Sequence, residues 1–485
     1  MFQIVEGNTH ALKDVEAFVE LINDPPNSVA GFFHSSADIL IARAPGRLDV
    51  MGGIADYSGS LVMPMPIAEA TFAAVQKNSD SSIKIISLAG DGNTRRFLMN
   101  ISDLGLAADG YENVRRWFAD DDHWASYIAG AFFALQAELG IDFQTGARVL
   151  ISSDVPIGKG VSSSAALEVS TMQAVCAAFE IEIEPRNMAI MCQLVENKIV
   201  GAACGIMDQI AVHSGVANSL VSLVCQPASI GEPVPLPDGL EVWGIDSGVR
   251  HAVVGSDYSS VRVAAFMGYR IITDLAGLTF ERICDGIIKI NDDLWNGYLS
   301  NVTPDEYERE LAGRIPISMT GREFLEKYIG TTDTVAAIDP ERSYAIKPPT
   351  EHAIYENYRV NQFASLLKKP IDDATLEKLG ELMFASHAGY ASCGLNESGT
   401  DRIVELVRER RDKGLFGARI TGGGSGGTVA ILSSRRNRSA ILEVAGEYQR
   451  DTGKKPYIFN GSSPGCATFG HLRLSSASVE PAVLG

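Results

Sequence analysis

The sequence predicts a mixed α/β protein of two or three domains, or of two domains with an insertion. Three observations carry that expectation. The chain has 485 residues, enough to bury more than one core. A short β-branched run, Ala147–Ile151, leads into V-P-I-G-K-G-V-S-S-S-A-A at 155–166 and then into apolar residues at helical spacing, Val169, Met172, Cys176 and Phe179. That is a strand-to-helix junction. Later, G-A-R-I-T enters G-G-G-S-G-G at 422–427 and leaves as T-V-A-I-L, a strand, a glycine turn and a strand.

Composition excludes several function classes. Hydrophobic residues make up 46% and charged residues 21%, the balance of a soluble globular chain. No run of ~18 uncharged apolar residues is present to span a bilayer. The opening M-F-Q-I-V-E-G-N-T-H lacks the basic and apolar segments of a secretory signal. Seven cysteines without C-x-x-C spacing read as free thiols of a reducing compartment, so the expected location is cytoplasmic. A net charge of −19 argues against nucleic acid or an anionic membrane as partner. So acidic a chain needs a local device to bind phosphate.

In chain order, the first 36 residues hold one expected helix, Ala11–Ile22, stopped by Asn23-Asp24-Pro25-Pro26. Ile39–Ala44 reads as a strand, followed by the loop P-G-R-L-D-V-M-G-G-I-A-D-Y-S-G-S at 45–60. Within it, Arg47 is wedged where it could offer several donors to a phosphate or carboxylate. Asp49 is expected to be a solvated turn charge. Strands follow at 61–76 and 83–88 and a helix at 124–139.

In the serine loop, Gly158 and Gly160 let backbone approach a ligand, and the helix start offers free N–H groups and its dipole to an anion. Ser162, Ser163 and Ser164 add hydroxyls for phosphate oxygens or a hard cation. An ordinary helix cap is the plain alternative, and the segment is not a P-loop. A helix at 188–199 carries Glu196. In the G-A-A-C-G-I-M-D-Q that follows, Asp208 sits among small and apolar residues, where a carboxylate pairs with a cation or is held for chemistry.

A strand surrounds Trp243, and a polar run ends at Tyr258 and Arg262. Residues 285–350 read as an insertion with a charged helical part, Asp305–Gly313, and no assignable role. Helices are expected at 351–368, 374–388 and 399–412. Gly422, Gly424 and Gly427 match G-x-G-x-x-G, but a strand follows where a dinucleotide site needs a helix. A hairpin packed on a ligand or another loop is expected instead. The end of the chain, from Ser475, is expected to be disordered.

These glycine loops, with G-A-A-C-G-I-M-D-Q, D-S-G-V-R-H followed by S-D-Y, and S-H-A-G-Y ahead of the hairpin, resemble the GHMP kinases and their galactokinase branch in particular. The resemblance covers most of 39–470 outside the insertion. It implies a two-domain α/β (α+β) fold with ATP and sugar in the cleft between domains. The parts would be an N-terminal extension at 1–36, an ATP-binding domain at 37–235, a C-terminal domain at 236–472 with the insertion, and a tail at 473–485.

It also implies a sugar 1-kinase using ATP and Mg²⁺. Asp208 would take or orient the proton of the anomeric hydroxyl, and Arg47 would stabilise that aspartate and the developing phosphoryl charge. Pro156, Gly158, Lys159, Gly160, Val161, Ser162, Ser163 and Ser164 would hold the nucleotide. Glu196 with Ser164, or second Ser163, would ligate the metal. Arg47, Gly53, Ile54, Asp56, Gly205, Asp208 and Tyr258 would surround the sugar.

One departure bears on the substrate. Galactokinases carry G-E-H-x-D-Y in the first loop, with the Glu and His near the far end of the hexose; here Gly53 and Ile54 stand in their places. The block from Arg43 to Val62 is also similar to the kinase part of plant-type arabinokinases. L-Arabinose has galactose's ring stereochemistry without the C6 hydroxymethyl group, so it is the expected substrate. D-Galactose is the alternative, and a non-catalytic sugar sensor a second one.

Overall fold

The structure, a computed structural model, describes residues 1–88, 93–118, 120–249 and 256–476. Two sheets frame it. The larger runs, edge to edge, Phe2–Glu6, Leu472–Ser476, Ile39–Asp49, Pro64–Lys77, Ala147–Ser153, Ser82–Leu88 and Thr94–Asn100. The smaller runs Leu415–Ile420, Thr428–Ser434, Leu240–Asp246 and Tyr457–Asn460. In the larger sheet, Ser82–Leu88 and Ala147–Ser153 pair in parallel, so the chain between them must cross over, and it does so through helix His123–Leu139.

Strand periodicity assigns the faces of the larger sheet. Ala42, Ala44, Ala73, Val75, Val149 and Ile151 point to helices His123–Leu139 and Ser163–Phe179, against Phe132, Phe133, Val169 and Met172. Ile39, Ile41, Phe72, Ala74 and Leu150 point the other way, where helix Lys13–Asn23 supplies Val15, Phe18 and Ile22. Both faces are therefore buried, which suits runs with little polar alternation. Phe18 stacks on Phe72 with centroids 4.6 Å apart.

The strand read as Ile39–Ala44 is longer, running through P-G-R-L-D to Asp49 with an irregularity of register between Pro45 and Arg47. On the strand Ile39–Asp49, Leu472–Ser476 pairs only with Ile39–Ile41. Pro45, which lacks an N–H, thus lies on an unpaired flank where it costs no ladder bond.

The expectation for Asp49 is overturned in the same place. Its side chain is fully buried, 2.9 Å from Arg419 Nη1, which is equally buried. Arg419 also donates to the Asp49 carbonyl at 3.1 Å, the Asp49 N–H donates to Thr421 Oγ1 at 2.7 Å, and the Gly53 N–H donates to the carboxylate at 3.1 Å. The pair ties the first loop to the smaller sheet. Around it a shared core mixes Leu48, Met51, Val161 and Ala166 with Phe363, Met383, Leu432 and Phe459.

The polar run through Tyr258 and Arg262 belongs to a long helix, Ser256–Leu275. Val263, Met267 and Ile271 on that helix pack against Trp295, Tyr307, Leu311, Phe324 and Tyr328 of the insertion, which therefore has a core of its own. Its periodicity is hidden because its elements are short turns.

The three expected later helices are Lys347–Leu367, Asp373–Ser392 and Ser398–Arg408, and the glycine run joins two antiparallel strands. Helix Arg438–Thr452 and strand Thr94–Asn100 had not been anticipated. Arg250 and His251 of D-S-G-V-R-H lie outside the described residues, as does the chain beyond Ser476. The disorder expected from Ser475 is corrected at Ser475 and Ser476, which pair with Gln3 and Phe2 in the larger sheet. All seven cysteines are free, and no described helix is long and apolar enough to cross a membrane.

Replacing Asp49 by Ala should leave Arg419 buried without a counter-charge and cost about 3–5 kcal/mol. Urea unfolding would show this as a lower midpoint at unchanged slope; a loss below about 1 kcal/mol would show that the pair is dispensable.

Candidate active site

A cleft of ≈ 740 Å³ opens between the two sheets, lined by the first loop, the serine loop, the 200–208 segment, Tyr258 and the glycine hairpin. Its volume is that of a small-molecule site.

The serine loop enters helix Ser163–Phe179 through Ser162, held at φ 58°, ψ 47°. Ser162 makes no side-chain cap bond, and its buried Oγ has no partner in the protein. Ser162 holds the cap position without capping the helix through its side chain. Gly158 and Gly160 adopt φ of +74° and +71°, conformations that favour glycine. Gly160 lies against the hairpin so tightly that a Cβ on Gly422 would come within 2.9 Å of the Gly160 carbonyl. Thr428 Oγ1 donates to the Lys159 carbonyl at 2.8 Å. The hairpin thus braces the loop from behind.

Gly158, Gly160, Val161, Ser162, Ser163 and Ser164 line the cleft, whereas Pro156 and Lys159 do not. The Lys159 ammonium is paired with Asp246 and lies over the ring of Tyr457.

Arg47 joins the two sides of the site. Its Nε and Nη2 donate to the two oxygens of Asp208, each at 2.8 Å, and its Nη1 donates to the Gly160 carbonyl at 2.7 Å. Asp208 sits in the first turn of helix Met207–Ser214, where a carboxylate is favoured by the helix dipole. It keeps 24% of its side-chain surface exposed, while Arg47 keeps 3%. The guanidinium is buried and the carboxylate is presented.

Glu196 lies on a π-helical turn, Val195–Val200, at the end of helix Pro185–Leu194; such turns often occur at functional sites. Its carboxylate accepts from Gln209 Nε2 at 2.5 Å and from the Cys204 thiol at 3.5 Å. Burial pushes it up to about 7, against the hydrogen bond with Ser164 and with help from the Asp208 charge.

Glu168, which sequence reasoning missed, follows Ser164 by four residues on the same face of its helix. It is 1% exposed, and Oε1 has no partner. Burial and then Glu196 hold its carboxyl well above the usual range. Its signal was a carboxylate inside the apolar run A-A-L-E-V. Ser162, Ser164 and Glu196 line the cleft with oxygens of the kind that suits a hard cation and phosphate, and Glu168 lies behind them beside Glu196.

The other end of the cleft belongs to Asp56, on the 3₁₀ turn Gly53–Ser58. It is buried, and its carboxylate accepts from the Tyr57 N–H at 2.6 Å. Burial, then Asp208, raises it to about 7, against Arg262 and backbone N–H groups. Gly205 presses on it: a Cβ there would lie 1.8 Å from Asp56 Oδ2. Gly53 is closed equally firmly, since its Cβ would lie 1.9 Å from the Tyr390 hydroxyl and 2.6 Å from Arg419 Nη2. Tyr390 accepts from the Ile54 N–H and donates to the Gly422 carbonyl, both at 2.9 Å. Ile54 borders the cleft but packs its side chain on Val261, Tyr390, Leu395 and Ile420.

The chain belongs to the GHMP kinase superfamily. Residues 126–215 match the GHMP kinases N-terminal domain and 365–450 the GHMP kinases C-terminal domain. Residues 30–77 match the galactokinase galactose-binding signature, which places the chain in the galactokinase-like branch. It is 41% identical to the L-arabinokinase of Arabidopsis thaliana over 98% of this chain and 52% of that one, so it spans about half the length of the plant relative. It is 28% identical to the galactokinase of Chloroflexus aurantiacus over 86% of this chain and 89% of that one. In fold it is similar to Lactococcus lactis galactokinase complexed with galactose, with a TM-score of 0.70 at 21% identity over 92% and 99% of the two chains. It is more distantly similar to the Methanococcus jannaschii mevalonate kinase, with a TM-score of 0.53 at 16% identity over 87% and 97%.

Because Asp56 is raised from 3.8 to about 7, the folded protein binds a proton that the unfolded chain has lost between those pH values. Its charge therefore costs stability increasingly as pH rises from about 4 to about 7, by a few kcal/mol at most. Asp56→Asn should melt higher than wild type at pH 8, with the gap narrowing towards pH 4. Thermal melts of both proteins across that range check the sign; a gap that widens on acidification would contradict it.

Proposed function

We propose that the chain is an ATP-dependent sugar 1-kinase that phosphorylates the anomeric hydroxyl of L-arabinose to give L-arabinose 1-phosphate. The observation that carries the kinase reading is the Arg47 guanidinium, which holds both oxygens of Asp208 and the carbonyl of Gly160. One rigid fork thereby fixes the distance between the group that receives the sugar's proton and the loop that holds the phosphates. Phosphoryl transfer draws its rate mainly from such positioning and from charge stabilisation.

In this reading 37–235 forms the nucleotide-binding half and 236–472 the other, with ATP along Gly158, Gly160 and Ser162–Ser164. The anomeric O–H gives its proton to Asp208, which retains free lone pairs beside the two that Arg47 occupies. The sugar oxygen then bonds to the γ-phosphorus as the bond to the β,γ-bridging oxygen breaks and ADP leaves. Arg47 meets the charge that develops between the two oxygens. Ser164 and Glu196, with Ser163 close by, would hold Mg²⁺, whose charge neutralises the phosphate oxygens.

The pentose assignment is supported by the first loop and by the likeness to the Arabidopsis thaliana protein. At position 53 the space for a side chain is taken by Tyr390 and Arg419, so no carboxylate reaches the sugar from there. At 54 the cleft meets backbone and an aliphatic chain. An apolar wall of this kind separates sugars that differ by one hydroxymethyl by only about 10–200-fold. Galactose is therefore expected to be a slower substrate rather than a rejected one.

Steady-state kinetics on L-arabinose, D-galactose and D-glucuronate should give the highest kcat/KM for L-arabinose; a preference for galactose would sink the pentose assignment. Asp208→Asn should lower kcat by about 10²–10⁴-fold. Sugar binding by both proteins with no ADP release from either would point to a sensor.

A further inference from the structure

The sugar-kinase reading leaves two things unused: the insertion at 285–350 and the buried Arg262. They meet. Arg262 Nε and Nη2 donate to the two carboxylate oxygens of Asp333, each at 2.8 Å, with both side chains buried. The third donor, Nη1, reaches the carbonyl of Cys204 at 3.2 Å. The guanidinium also lies 5.4 Å from the ring centroids of Tyr57 and Phe266. Asp333 is itself fixed, since its carboxylate accepts from the Val335 N–H at 2.9 Å.

Two of these contacts, Cys204 and Tyr57, are one residue away from Gly205 and Asp56. Cys204 precedes Gly205, whose backbone presses on the Asp56 carboxylate, and Tyr57 follows Asp56. A salt bridge that merely stapled the insertion to helix Ser256–Leu275 would not need its third donor and its aromatic stacking aimed at these two segments. We propose that Asp333, supplied by the insertion, is a positioning residue. Acting through Arg262, it fixes the Cys204–Gly205 peptide and Tyr57, and with them the wall that holds the sugar at Asp56. This rests on the sugar-kinase reading but not on which sugar is used.

The physical reason is charge balance. Asp333 neutralises Arg262 and leaves the nearby Asp56 free to accept hydrogen bonds from sugar hydroxyls. Without Asp333, the buried guanidinium is left without its counter-charge, and Asp56 is another carboxylate whose charge acts on it. It would swing to Asp56 and occupy the sugar's acceptor. The insertion thus acts on the sugar end of the cleft and not on the nucleotide end.

The test uses the full chain and whichever sugar the wild type turns over best. Asp333→Asn should raise the KM for that sugar about tenfold or more, with the KM for ATP within about twofold of wild type. Arg262→Lys keeps a buried cation but loses the fork, and should do the same if Asp333→Asn fails to fold. Tyr344→Phe removes a hydrogen bond that the Asp339 N–H donates within the insertion; it should lower the melting temperature without moving either KM. An unchanged sugar KM in folded Asp333→Asn, or a parallel rise in both KM values, overturns this proposal alone. A wild type that phosphorylates no sugar overturns the kinase reading and this one together.

Discussion

The cleft is built on a single electrostatic constraint: the arginines buried around it must each be matched by a carboxylate. Arg47 answers Asp208, Arg419 answers Asp49 and Arg262 answers Asp333. In each case the guanidinium spends another donor on a backbone carbonyl, that of Gly160, Asp49 or Cys204. Ion pairing and loop geometry are therefore the same interaction. The planar fork of arginine allows this and the point charge of lysine does not. It also explains how the three loops keep their shape with so many glycines.

Other carboxylates at the site have no such match. Glu168, Glu196 and Asp56 are all raised, chiefly by burial. They are a standing cost to the fold, and in the proposed function they face the cation and the sugar. Stability is here traded for acidic groups held in place before any ligand arrives.

Much of this could be read from the sequence, and the rest could not for definite reasons. The serine loop, Arg47, Asp208 and Glu196 are visible because glycine, proline and charge are rare together in apolar surroundings. The resemblance then orders them. The extent of the strand ending at Asp49 was hidden, since Pro45 marks a break unless one knows that its flank is unpaired. Asp49 looked like a solvated turn charge because its counter-charge, Arg419, lies 370 residues away in sequence. Glu168 was lost inside a helix whose neighbours are apolar. Arg262 and Asp333 could not be paired, because the insertion's short turns carry no period. Local pattern shows which groups are unusual; only the fold shows what each faces.

The strand Leu472–Ser476 lies between Phe2–Glu6 and Ile39–Asp49 in the larger sheet. A sheet that begins with the first residues is therefore completed by some of the last described. On the ribosome, the flank at Ile39–Ile41 would stay unsatisfied while more than 400 further residues are made. Contacts of such long range are slow to form, and an open flank of this kind is a template for pairing with other chains. The smaller sheet and the insertion's core close over shorter separations. The larger sheet should therefore be the last to close, with its flank open to such pairing until it does.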